Sequence, residues 1–174
     1  MKTISSVVAY ATAISITTAA LMVSTTNGAF AQSKALLGSW KFDAARSRFE
    51  PGPSPYKSMT LNFSATDRGL KNDVAGVDAE GQPIEGSYMI VTDGKQYPVT
   101  GMSAFDSSSY TPVSDTTTVY LREKLGTTVV VGSRVLSKDG RTLTFRQKHV
   151  DRDGRDRSNA LLVFERDSST ASVR

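Results

Sequence analysis

The chain has 174 residues, no cysteine, one histidine and a mild positive balance of 21 Lys and Arg against 17 Asp and Glu. The missing thiols exclude a disulfide framework, a thiol nucleophile and a lipid-modified cysteine, and one His without Cys cannot supply a typical zinc site. Basic residues alternate with acidic ones, as in Asp151 to Arg157 with three of each, so the one-sided basic patch that nucleic-acid binding needs is missing.

Residues 1–31 read as a secretory signal. Lys2 is the only charge, Val7 to Val23 is mostly Ala, Ile, Val, Leu, Ser and Thr, and Ala29-Phe30-Ala31 is a small-x-small cleavage site. The apolar run is too short and too diluted by Ser and Thr for a span of about twenty apolar residues, so no stable membrane anchor is expected. The mature product is expected in the periplasm or outside the cell. Residues 32–167 are the length of one domain, and the polar residues 168–174 read as a disordered tail.

The mature chain opens on Gly38, Trp40 and Phe42 sharing one face of a first strand, with the sole tryptophan pointing inward. Ala44 to Phe49 suggests one helical turn, and Pro51, Pro53 and Pro55 force an extended loop. Met59, Leu61 and Phe63 alternate with Ser and Thr. Leu70 to Val77 forms a weaker strand, and Ile84 to Val91 puts Ile84, Gly86, Tyr88 and Ile90 on one face. Asp93-Gly94 turns into Lys95 to Thr100, where Pro98 marks an edge or bulge. Residues 101–108 are hard to assign. Residues 109–113 form a short strand broken at Pro112.

Four strand-like runs follow between Thr116 and Arg166, separated by Gly-containing turns. Val129-Val130-Val131 is β-branched, Leu143, Phe145, Gln147 and His149 share a face, and Asp139-Gly140 and Asp153-Gly154 suit tight hairpins. The pattern is an all-β antiparallel up-and-down meander of about eight to ten strands that closes into a barrel.

Gly38-Ser39-Trp40 on the first strand, with Arg166 at the end of the last, resembles the lipocalin and wider calycin pattern. The text GSWKFDAARSRF, PGPSP, GVDAEGQPIEGSY, DGKQYPVTG and SRVLSKDGRTLTF is similar to a group of uncharacterised secreted bacterial lipocalin-like proteins. The resemblance implies a lipocalin-like barrel in which Gly38, Trp40 and Arg166 close one end, the guanidinium lying over the indole. The chain departs from typical lipocalins in having no disulfide cysteines and no recognisable helix near its end.

No catalytic, cofactor or metal motif stands out. There is no Gly-x-Ser-x-Gly elbow, and Asp151 to Gly154 lacks the spacing and closing Glu of a calcium loop. His149 reads either as a polar group at a barrel mouth or as a solvated rim residue. Tyr88 and Tyr97 read as pocket tyrosines or as core residues whose hydroxyls reach the surface, and Gln147 as a pocket amide or a sign of the rim. With Phe145 these form the candidate ligand-binding set. Gly76, Gly86 and Gly132 leave room inside or mark bends. Three readings stay open: a carrier of a small hydrophobic or amphipathic ligand, a filled barrel acting through its surface in the envelope, and, with least support, a calycin-type isomerase or cyclase. No enzyme and no cofactor is expected; the ligand, protein partners and oligomeric state are not specified.

Overall fold

The computed structural model describes residues 34–168. The expected leader, and all of the expected tail except Ser168, lie outside the described residues.

The alternation seen in the sequence folds into eleven strands: β1 (Gly38–Phe42), β2 (Arg48–Glu50), β3 (Tyr56–Thr66), β4 (Gly69–Asp78), β5 (Pro83–Ile90), β6 (Tyr97–Thr100), β7 (Ser107–Pro112), β8 (Thr117–Lys124), β9 (Thr127–Leu136), β10 (Thr142–Val150) and β11 (Asp156–Arg166). Each of β3 to β10 pairs antiparallel with its successor, and β1 pairs with both β3 and β11. Ten strands thus close into a lipocalin-like barrel, as the resemblance implies, and no long sheet edge is left open.

β2 is the additional strand. It pairs with β11 at Leu161↔Arg48, just beyond the β1 pairing at Phe42↔Phe164, so β1 and β2 act as one edge interrupted by a turn. The helical turn expected over residues 44–49 is shorter: a turn at 44–46, closed by the Ser47 N–H donating to the Asp43 carbonyl at 3.2 Å, runs straight into this strand. The interruption leaves a β11 amide without a strand partner, and Ser47 supplies one: the Val163 N–H donates to its hydroxyl at 3.0 Å. A buried backbone donor is rarely left unpaired, which explains why a small hydroxyl sits there.

The barrel has a closed end and an open end. At the closed end a single helical turn at 34–36 packs beneath β1, and Trp40, fully buried, donates its indole N–H to the Leu36 carbonyl at 2.8 Å. Trp40 is in register with Arg166, whose guanidinium lies 4.3 Å from the indole centroid. That guanidinium donates to the carbonyls of Gly140 and Leu37, at 2.8 and 2.7 Å, and to that of Ala35. The stacking contributes about 0.5–2 kcal/mol, and the carbonyls satisfy the charge's donors. The other end carries the proline loop, the 101–106 loop and the β8–β9 and β10–β11 turns.

Candidate functional site

The inward faces of β3, β4, β5, β10 and β11 supply Met59, Leu61, Val74, Tyr88, Phe145 and Leu162, an apolar wall built by strict period-two alternation. Toward the open end the lining becomes mixed: Tyr56, Met102, Phe105, Arg122, Gln147 and His149. These residues enclose a cavity of about 70 Å³. A water's share of liquid volume is about 30 Å³, so the cavity is small beside drug-sized sites of about 300–1,000 Å³.

Aromatic rings fill most of the remaining interior. Tyr88 stacks on Tyr110 at 6.4 Å, Tyr110 meets Tyr120 at 5.8 Å, Tyr120 meets Phe145 at 6.1 Å and Phe145 meets Phe164 at 5.5 Å. The strand glycines leave no void. A Cβ on Gly132 would meet the Tyr120 ring at 2.4 Å, and one on Gly86 would meet the Met102 sulfur at 2.5 Å. Each glycine therefore lets a neighbouring side chain lie against the backbone.

Of the sequence-derived candidates, Tyr88, Phe145, Gln147 and His149 converge on the cavity. Tyr97 does not. It lies at the closed end, where its hydroxyl donates to Asp93 at 2.8 Å and Arg68 sits 5.5 Å over its ring. Periodicity assigns a residue to a face but says nothing about its height in the barrel. Gly38, Trp40 and Arg166 gather at the closed end, away from the cavity.

The alternation drew no attention to two arginines. Arg122 projects into the cavity from β8, 4.3 Å from the Phe105 centroid and 5.0 Å from that of Tyr120. Arg134, on β9, is in register with Thr118 and only 2% exposed. It donates to the Thr118 hydroxyl at 3.3 Å and lies 5.8 Å over Tyr110, while its Nε and Nη1 have no hydrogen-bond partner among the described residues. The Arg122 Nε is also buried without a partner. On β8, Val119 and Leu121 look like the inward set, yet they face out, 41% and 38% exposed, while Thr118, Tyr120 and Arg122 face in. The pairing of Tyr120 with Gly132 makes that choice sterically possible.

The polar groups near the arginines carry no compensating negative charge. Among the described residues no Asp or Glu lines the cavity. Burial raises the Tyr110 hydroxyl far above its ordinary value and pushes Tyr120 up to about 12, so both are neutral near pH 7. Tyr88 accepts a hydrogen bond from the Asn72 amide at 2.8 Å. The Tyr120 hydroxyl lies near Gln147 but completes no hydrogen bond with it. Burial, and secondarily the Arg122 charge, holds the His149 imidazole below its ordinary pKa. Among the described residues no group of three His, Cys, Asp or Glu side chains could hold a metal ion.

A second pocket of about 200 Å³ lies under the proline loop, between Pro51, Pro53 and Pro55 on one side and Ser158 to Ala160 on the other. It shares Tyr56, Gln147 and His149 with the internal cavity.

The fold is that of a lipocalin-like barrel. No protein-family model matches the sequence, and no curated protein matches it. Among solved structures, the chain resembles a protein of unknown function from the DUF3598 family of Nostoc punctiforme, with a TM-score of 0.51 and 17% identity over 77% of this chain and 48% of that one. The chain thus spans about half the length of that protein. It also resembles mFAP1, a redesigned β-barrel bound to DFHBI, with a TM-score of 0.43 and 16% identity over 78% of this chain and 98% of that one. Zebrafish ileal bile acid-binding protein complexed with cholic acid gives 0.41 and 8%, over 76% and 98%. At such identities the likeness is one of fold.

Proposed function

We propose that the protein binds a small hydrophobic or amphipathic molecule inside the barrel, which enters past Tyr56, Gln147 and His149 beneath the proline loop. The observation that carries this reading is an apolar-walled cavity with several polar groups at one end, sharing three residues with a pocket at the surface. We place this activity in the periplasm or outside the cell, on the strength of the leader in residues 1–31. The reading is of a binding protein rather than an enzyme, because among the described residues no carboxylate lines the internal cavity that His149 enters. At about 70 Å³ the cavity admits only a few heavy atoms as it stands. A larger ligand requires Met102, an unbranched and flexible side chain in the lining, to swing aside.

The test is native mass spectrometry of protein recovered from its own host. A co-purifying small molecule, with a higher melting temperature than the stripped protein, is the expected result. Repeated recovery of empty protein that no lipid-like compound stabilises would overturn the reading. The aromatic stack that fills the interior favours a second reading, a filled barrel that acts through its outer surface as an envelope component, and that result would select it.

A further inference from the structure

We propose that the ligand is an organic anion, an apolar body with one oxyanion head group that settles against Arg122, with Arg134 deeper in the barrel adding to the positive field. This rests on the reading that the barrel interior takes a ligand.

Two arginines of the same barrel differ in how their N–H groups are used. Arg166 and Arg122 both stack on an aromatic ring at 4.3 Å. Arg166 is a structural arginine: three backbone carbonyls take its N–H groups. Arg122 has the same stacking but no such partners. Its Nε is buried and unpaired, it joins no ion pair among the described residues, and it lines the cavity. Stacking uses the face of a guanidinium and leaves its edge, with donors in a fork that matches an oxyanion, free for a second partner.

Arg134 strengthens the case. It is 2% exposed, with two unpartnered donor nitrogens and a single neutral acceptor in Thr118. A buried arginine is costly unless paired, and one facing neutral tyrosines lacks a counter-charge. Arg134 and the half-buried Arg122 on adjacent, paired strands, with no carboxylate among the described residues along the cavity wall, make an interior short of negative charge. A neutral ligand would leave that imbalance in place and a cationic one would add to it; an anion reduces it. The wall contributed by Met59, Leu61, Val74, Phe145 and Leu162 offers no hydrogen bond to the rest of the molecule, so the body is apolar and the charge is confined to one end.

Isothermal titration and thermal shift with octanoate, octyl sulfate, 1-octanol and octylamine test the inference. The two anions are expected to bind at least about tenfold more tightly than the alcohol, the order of one charge-assisted hydrogen bond, and the amine to bind most weakly. In Arg122→Met the preference for octanoate over octanol is expected to fall to within about twofold. The ligand-free variant is expected to melt at or above the parent temperature, because an uncompensated charge has left the interior. Equal binding of octanoate and octanol by the parent overturns the inference but leaves the ligand-binding reading standing. Binding of none of the four, or of their shorter-chain homologues, overturns both. An Arg122→Met protein that melts well below the parent while keeping its anion preference makes Arg122 a structural residue and also overturns it. The comparison of ligands on the parent needs no variant to fold.

Discussion

Trp40 and His149 mark the two ends of the barrel and respond to different perturbations. Trp40 is fully buried, donates to Leu36 and carries Arg166 on its face. Trp40→Ala is expected to cost about 3–5 kcal/mol in urea unfolding, as large-to-small changes in a packed core do, with no change in ligand preference because the cavity lies elsewhere. A variant that unfolds like the parent would contradict this account of closure. His149 lines the cavity, and burial keeps its pKa below 6.5. The folded chain then binds fewer protons than the unfolded chain, so stability falls as pH drops from about 6.5 toward the lowered folded value and levels off beneath it. Urea midpoints measured between about pH 7 and pH 5 are expected to decline less steeply in His149→Gln than in the parent. Equal slopes would show that His149 does not contribute.

Among the elements, β6 is the weak seam. It has four residues and pairs through only two positions on each side, Ser87↔Thr100 and Tyr88↔Val99 toward β5, and Tyr97↔Ser108 and Pro98↔Ser107 toward β7. Pro98 has no N–H for the ladder. The 101–106 loop that follows carries Met102 and Phe105 over the cavity. Amides of residues 97–106 are expected to exchange with solvent faster than those of β3, β4, β10 and β11, as segments with few backbone bonds open first. Uniform protection from β5 through β7 would argue against opening here. The Pro98 signal was legible in the sequence, since a missing donor is a property of the residue itself. The inward turn of Arg122 on β8 was not legible. There hydrophobicity and facing disagree, because Val119 and Leu121 are spared burial while an arginine takes the inner position, and only the register against β9 decides which face turns inward.

For the whole molecule, what the sequence determined by itself was the period of two, the turns at Asp139-Gly140 and Asp153-Gly154, and hence an antiparallel barrel; these follow from short-range sterics and alternation, which each segment carries locally. It also placed Trp40 and Arg166 on the strands that meet when such a meander closes. The strand count came out close, although β2 escaped notice because it has only three residues and exists through its pairing with β11. Only the tertiary structure decided how high in the barrel each inward residue lies, which separates Tyr97 from Tyr88. It also decided how much room the rings leave and that two arginines face the interior without acids. Those quantities depend on the shear and packing of ten strands at once, and no stretch of the chain contains them.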